Sequence, residues 1–460
     1  MSDARSREAT RHREMEIKVP RGMQDVLPDE TPRWRYVEAR MRRLARLFGY
    51  REIRTPVVEH TEVFQRAVGS GTDIVEKEMY TFLDRGQRSL SLRAEGTAPV
   101  MRAFLEHNLG AAGLPVRLYY VCPIFRYDRP QAGRYRQHTQ YGAEVIGSPH
   151  PDADAEVLSL AVRLVQSLGV SRFDVHLSSV GDSVCRPHYL EVLRAYYRPH
   201  LDELCGDCRR RFETAPLRLL DCKEPQDRRI AKDAPRILDY LCDPCRAHFQ
   251  GVRAHLDAVG IPYTIDPTIV RGMDYYTRTA FEAFSEALGA QDVIFGGGRY
   301  DGLAEQLGGP PVPGVGFGMG IERLLLVLGR EGIALPREPG PDVYLATAGV
   351  DSEQALALAD RLRAAGVAVD VDLMGRGLRA QMKQADRLRA RFVVLLGEDE
   401  VRRAVAVLRE MGSGAQEEVA IERVPEVLAM RIRARSPDAA PAADTGRTRD
   451  KTRASGEGHA

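Results

Sequence analysis

Arginine presents a planar fork of N–H donors suited to phosphate, and this sequence sets arginines in several suggestive places. Arg126, Arg129, Arg134 and Arg136 cluster within FRYDRPQAGRYRQHTQYGAEVIG, between two strand-like runs. A strand, a basic loop and a returning strand would place them beside a polyanion, with a solvated basic hairpin as the alternative. Arg323 follows the glycines of GFGMGIERLLL, on the first turn of a helix. Glycines there would let the backbone turn and approach a ligand closely; a tight turn with a surface arginine would look the same. The spacing is not that of a dinucleotide-binding loop. Arg271 and Asp274 stand beside the paired Tyr275 and Tyr276 in IVRGMDYYT, and GGGRYDGL begins at Gly296. Tyrosines in strands ordinarily pack, so neither of these two stretches decides anything by itself.

Cysteine is the other reactive type here. Five of the seven lie in one short region: Cys205, Cys208, Cys222, Cys242 and Cys245. Without a secretion signal, paired C-x-x-C units read as metal or redox chemistry before a disulfide framework. Cys205, Cys208, Cys242 and Cys245 have the ligand spacing of one structural four-thiolate zinc site, with Cys222 as a spare or alternative ligand. Free reduced thiols are the alternative.

The elements that must position these residues follow from pattern. Thr31 can cap a helix with Pro32 in its first turn, and Trp34, Val37, Met41, Leu44 and Phe48 then form one apolar stripe ending at Gly49. LYYVCPIFRY and TQYGAEVIG read as strands flanking the arginine-rich connection. A helix is expected from Asp154 to Leu168 and a strand at FDVHLSSVG. Residues 185–255 are charged, helical and cysteine-bearing, and look like an insertion. Strand signals return between Tyr263 and Tyr300, and a helix at 320–330. REPGP, residues 337–341, reads as a linker within 331–341. After it DVYLATA, a helix from Asp351, VAVDVDL, a helix around Ala380 and FVVLLG form a β-α-β pattern, a separate α/β domain over 342–434. The first fifteen residues and 435–460 have the composition of disordered tails.

Composition bounds the rest. A chain of 460 residues, 43% hydrophobic and 28% charged, suits a globular protein of two or three domains. No run approaches the roughly 18 apolar residues of a membrane span. The start, MSDARSREATRHREMEIK, lacks the apolar stretch of a signal peptide, so a cytoplasmic protein is expected. With 66 basic and 65 acidic residues the net charge is +1, so any RNA contact must come from local basic patches.

Taken together, the stretches carry a family resemblance. FRYDRPQAGRYRQHTQYGAEV and GFGMGIERLLL resemble the second and third signature motifs of class II aminoacyl-tRNA synthetases. IVRGMDYYT and GGGRYDGL resemble the two signatures of the histidine-specific members. RGMQDVLP near the start and LRAEGTAPVMRA from Leu92 match the same family. The resemblance runs in order from about Ile17 to about Ala434. Two departures stand out: LRAEGT lacks the proline that usually precedes the glutamate, and RQHTQ, residues 136–140, lacks the usual aromatic and histidine at its third and fourth positions.

The resemblance implies an α/β (α+β) fold: a class II antiparallel sheet of six or seven strands flanked by helices over 16–330, with a helical insertion and a C-terminal α/β anticodon-binding domain. It implies a homodimeric ligase of protein synthesis. The enzyme would activate L-histidine with ATP and Mg²⁺ to histidyl-adenylate and transfer it to tRNA(His). Glu95, Thr97 and Gln140 resemble the groups that hold the α-amino group of histidine. Glu144 and Tyr276, with Tyr275 nearby, resemble those that read the imidazole, whose two nitrogens suit a carboxylate and a phenol. Arg126 would hold the α-phosphate and Arg323 the γ-phosphate. Arg271 would stabilise charge developing on the α-phosphate. Arg129 and Gln131 would face the tRNA acceptor end. Arg376, Arg379, Lys383, Arg387 and Arg391 lie on or near one helix of the last domain; phosphate contact and a solvated helix face are the two readings. A catalytically silent paralogue that regulates histidine biosynthesis is the competing reading of the whole chain.

Overall fold

The computed structural model describes residues 17–69, 72–270, 272–291 and 293–434. The expected disordered tails, and Arg271, lie outside the described residues. The chain divides into two compact units between Arg337 and Glu338, inside the REPGP stretch. Among the described residues no helix is long and apolar enough to cross a membrane.

The first unit carries eleven strands in chain order. These begin with β1 (Arg51–Glu52), β2 (Val58–His60), β3 (Thr81–Leu83), β4 (Ser89–Leu92), β5 (Val116–Phe125) and β6 (Gln137–Ile146). They continue with β7 (Asp174–Ser179), β8 (Thr264–Ile265), β9 (Thr277–Phe284), β10 (Val293–Arg299) and β11 (Gly314–Gly320). Eight of them form one sheet in the order β1-β5-β6-β11-β10-β9-β7-β8, and β2, β4 and β3 form a small second sheet. The six inner strands of the large sheet are antiparallel. The two edge strands, of two residues each, pair in parallel. The sheet is therefore mixed and eight-stranded where six or seven antiparallel strands are expected, because two residues are too short to show an alternating pattern.

Period-two alternation assigns the two faces of this sheet. Tyr141, Ala143 and Val145 of β6 and Val315, Phe317 and Met319 of β11 point into the main core. That core is closed by the helices Thr31–Leu47, Pro151–Ser167, Asp243–Ala258 and Ile321–Arg330. The predicted stripe of the first helix packs there: Val37 and Met41 are fully buried and Trp34, Leu44 and Phe48 lie against them. Thr31 is the first residue of the helix and not its cap; its hydroxyl donates to the carbonyl of Leu27 at 3.0 Å. On the opposite face, helix Thr97–Glu106 packs through Ala98, Met101 and Phe104 against Tyr120, Cys122 and Ile124 of β5. Besides Ile146, the residues on that face of β6 and β11 are His138, Gln140, Gly142, Glu144, Gly314, Gly316, Gly318 and Gly320.

The insertion lies between β7 and β8. Its helices Arg186–Tyr197, Gly206–Thr214 and Pro225–Lys232 close a core of their own that includes Tyr189, Leu193, Phe212, Leu219 and Ile237. The last helix, Asp243–Ala258, joins the two cores: Cys245 belongs to the inserted one, Phe249, Val252 and Leu256 to the main one.

The second unit has strands β12 (Val343–Ala348), β13 (Val369–Val371), β14 (Phe392–Gly397), β15 (Val405–Glu410) and β16 (Gln416–Ala420). Their order is β13-β12-β14-β15-β16. The first three are parallel, as β-α-β units require, and the last two run antiparallel. Helices Ser352–Ala364 and Val424–Ala434 close the core on one face, and helix Leu378–Arg387 packs on the other.

Candidate active site

The glycines of β11 explain the floor of the site. Gly316 pairs with Glu144 and Gly320 with Gln140 across the β11–β6 ladder. A β-carbon at Gly316 would lie 1.6 Å from Glu144 Oε2, and one at Gly318 would lie 2.2 Å from Gln140 Nε2. GFGMG is thus a strand, and its missing side chains clear a bare strip over which neighbouring polar side chains lie flat. The expected turn is absent; the helix opens directly at Ile321.

Over this floor opens a cavity of about 300 Å³. It brings together Glu95, Thr97, Arg126, Gln140, Tyr275, Tyr276 and Arg323, seven of the sequence-predicted residues, from segments far apart in the chain. Glu144 is fully buried behind Thr97 and Tyr120, which line the cavity. Its Oε1 accepts from Thr97 Oγ1 at 2.9 Å and from Tyr120 Oη at 3.4 Å, and its Oε2 accepts from Tyr300 Oη at 2.6 Å. Burial pushes its pKa up to about 8, against the opposing effect of these hydroxyls. Glu95 is held by the start of helix Thr97–Glu106: its two oxygens accept from the backbone N–H of Thr97 at 2.8 Å and of Ala98 at 2.6 Å. Burial raises its pKa. Gln140 Oε1 is buried without a hydrogen-bond partner. Buried polar atoms are rarely left so, and an acceptor in this position suits a ligand that brings N–H donors.

The cavity is also lined by arginines. Arg126 Nε donates to the carbonyl of Ala94 at 2.7 Å. Arg323 donates to the carbonyls of Gly133 and Val293, both at 2.9 Å. No carboxylate forms a salt bridge with either guanidinium among the described residues. Burial lowers the Arg323 pKa, with Arg134 and Arg126 adding repulsion. His138, in the same wall, is pushed down to about 3 by burial and then by Arg126 and Arg323, so its imidazole is neutral. Two guanidiniums that form no salt bridge among the described residues suit an incoming phosphate. The remaining hairpin arginines divide. Arg134 is paired with Asp128 and lies 3.8 Å from Glu78. Arg136 stacks over Tyr127 at 3.6 Å from the ring centroid. Arg129 and Gln131 are exposed at the hairpin tip.

In the second unit Arg379, Lys383 and Arg387 recur every fourth residue on helix Leu378–Arg387 and are exposed, without an ion pair among the described residues. Arg376 and Arg391, expected with them, are paired with Asp372 and Asp342.

The expected four-thiolate site is not formed. Cys205 and Cys208 gather with Cys222 and Asp227, whereas Cys242 and Cys245 gather with Cys185 and Asp182. The spacing within each C-x-x-C pair is right, but packing of the inserted helices gives each pair a different third cysteine.

Sequence reasoning missed Tyr120, Tyr300, His138, Glu282 and Glu322. Glu322 Oε1 accepts from the backbone N–H of Thr139 at 2.7 Å, and burial pushes its pKa up to about 7. Tyr120, His138, Tyr300 and Glu322 do lie inside quoted stretches, next to residues that drew attention. Arg299, also in such a motif, is structural: it is fully buried and ties β10 to helix Pro151–Ser167 through Asp154.

A sequence model of the family described as Histidyl-tRNA synthetase matches residues 22–324, and one described as Anticodon binding domain matches residues 342–431. The chain belongs to the histidyl-tRNA synthetase family. It is 51% identical to the histidine–tRNA ligase of Caldanaerobacter subterraneus subsp. tengcongensis over 415 residues, covering 90% of this chain and 100% of that protein. It is 53% identical to that of Desulforudis audaxviator over 414 residues, covering 90% and 99%. The apo crystal structure of the Staphylococcus aureus histidyl-tRNA synthetase is similar, with a TM-score of 0.76 at 40% identity over 90% of this chain and all of that one.

Proposed function

We infer that this chain activates L-histidine with ATP to histidyl-adenylate and then transfers the histidyl group to tRNA(His). The observation that carries the reading is the polarity of one cavity. Its lining combines Glu95 and the unsatisfied acceptor of Gln140, backed by the buried Glu144, with Arg126 and Arg323, which form no salt bridge among the described residues. Glu95 and Gln140 accept from the α-ammonium group of histidine, with Thr97 beside them. Tyr276 and Glu144 read the imidazole, with Tyr275 packed at 4.7 Å from Tyr276 between ring centroids. Arg126 holds the α-phosphate and Arg323 the γ-phosphate of ATP. The histidine carboxylate attacks the α-phosphorus, the bond to the bridging oxygen breaks, and pyrophosphate leaves. Arg271 stabilises the charge that builds on the α-phosphate. The chemistry is positioning and electrostatics, with no covalent enzyme intermediate. Mg²⁺ bound with ATP would offset part of the triphosphate charge, and Glu282, a carboxylate lining the cavity, would help to hold it.

Arg129 and Gln131 contact the acceptor end of the tRNA, and Arg379 and Lys383 its anticodon arm. The active species is a cytoplasmic homodimer. A regulatory paralogue without catalysis is disfavoured, because the cavity keeps both its amino-acid and its phosphate groups. Histidine-dependent exchange of pyrophosphate into ATP, followed by charging of tRNA, tests the reading. Equal stimulation of exchange by another amino acid would sink it.

A further inference from the structure

Six of the seven cysteines lie in or beside the insertion, all as free thiols. They fall into two groups of the same composition, three cysteines and one aspartate. Cys205, Cys208, Cys222 and Asp227 make one, and Asp182, Cys185, Cys242 and Cys245 the other. In each group one donor atom per residue lies within 4.8 Å of all the others.

We propose that the insertion is a two-metal module in which each group binds one structural Zn²⁺ through three thiolates and a carboxylate. A tetrahedral zinc with Zn–S near 2.3 Å and Zn–O near 2.1 Å places its ligand atoms about 3.5–3.8 Å apart. Cys205 Sγ and Cys222 Sγ are 3.9 Å apart, and Cys222 Sγ is 3.2 Å from Asp227 Oδ2. In the second group Asp182 Oδ1 is 3.5 Å from Cys185 Sγ and 3.8 Å from Cys242 Sγ. The sulfur–sulfur separation is far beyond the bond of about 2.05 Å in a disulfide. Thiolate-rich, closed four-ligand sets select zinc over oxygen-preferring cations.

The surroundings fit ligands held in advance. Cys205 and Cys242 are both N-cap residues, with φ −63° and ψ 162° in one and φ −63° and ψ 160° in the other. Each C-x-x-C pair therefore straddles a helix start in the same backbone geometry. The backbone N–H of Cys208 donates to Cys205 Sγ at 3.4 Å, and that of Asp182 to Cys185 Sγ at 3.5 Å. Both aspartates are fixed by backbone donors: Asp227 accepts from Cys205 at 3.1 Å, and Asp182 from Val184 at 3.0 Å. Such outer contacts orient metal ligands. The need is also plain, since an inserted core of short helices is of the size that metals commonly stabilise.

The proposal is independent of the catalytic reading, and its test measures metal. Protein purified without chelators under reducing conditions should hold two zinc ions per chain by elemental analysis. Cys222→Ala and Cys185→Ala should each reduce this to one, and Cys122→Ala, outside the insertion, should leave two. One zinc or fewer in the parent chain overturns the proposal, as does either insertion variant retaining two. Should a variant fail to fold, Co²⁺ titration of metal-stripped parent protein decides. Thiolate-to-cobalt absorption should rise to two equivalents, and saturation at one or none refutes the second site or both.

Discussion

The Tyr300 hydroxyl donates to Glu144 Oε2 at 2.6 Å, inside a site where neither residue reaches solvent. With Thr97 and Tyr120 on the other oxygen, it makes the acid a buried carboxyl met by three hydroxyls. Removing one donor strands an acceptor. Losing a partner from a buried group costs about 1–3 kcal/mol, roughly five- to 150-fold. Tyr300→Phe should therefore lower kcat/KM for histidine in pyrophosphate exchange within that range, while KM for ATP stays near its parent value. A variant with unaltered histidine kinetics would show that this hydroxyl does not set the carboxyl.

The same acid should leave a signature in stability. Folding raises its pKa from the ordinary glutamate value of 4.5 to about 8, so the folded state holds a proton that the unfolded chain releases. The stability this contributes is fully present below about 4.5 and is lost as pH rises through about 8. Glu144→Gln has no such proton. Thermal melts of the parent and the variant across pH 5 to 9 should show the parent losing ground steadily relative to the variant as pH rises. A constant difference in Tm would mean that the carboxyl is not protonated in the fold.

Gly318 offers a steric test of the bare floor. An added β-carbon would sit 2.2 Å from Gln140 Nε2, so the amide must move. Overpacking of this kind typically costs about 1–3 kcal/mol. Gly318→Ala should raise KM for histidine about tenfold or more, with the dichroism spectrum unchanged. Unchanged KM would show that Gln140 has another place to go, or no part in binding.

For Arg271, loss of one charged donor at a transition state costs about 2.7–4 kcal/mol, on the order of 100- to 1000-fold in rate. Arg271→Ala should slow adenylate formation by that factor in single-turnover experiments and weaken histidine and ATP binding far less. Near-parent turnover would remove the role assigned to it.

What was legible in the sequence follows from how local each feature is. The first helix, β5, β6 and the helix after Gly320 are written in runs with clear periods, and the structure has all four. The arginines and tyrosines of the site stand in recognisable strings. The hydroxyl cage around Glu144 is not local: Tyr120 is 24 residues away and Tyr300 is 156. Only the strand register brings them together. The cysteines make the same point. C-x-x-C spacing is readable, but the packing of helix Arg186–Tyr197 and its neighbours decides that Cys185 joins one pair and Cys222 the other. Asp182 and Asp227 gave no signal, because an aspartate near a helix start is ordinary.

The two compact units allow the two halves of the reaction to be separated. The carboxylates and arginines of the cavity all precede Leu324, whereas the exposed Arg379, Lys383 and Arg387 stripe lies beyond Arg337 in a unit with its own core. A domain with its own core can be removed without opening its neighbour's. A chain ending near Glu338 should keep much of its histidine-dependent exchange and lose most tRNA charging. Phosphate contacts give salt-dependent affinity, about one unit of log–log slope for each charge neutralised. Charge reversal by Arg379→Glu and Lys383→Glu in the full chain should accordingly weaken tRNA binding at physiological salt, leave exchange intact, and matter less as salt is raised. Normal charging by the shortened chain would show that the second unit is not the grip on tRNA. Loss of exchange in a shortened chain that remains folded would show that the two units are coupled more tightly than the break at Arg337 suggests.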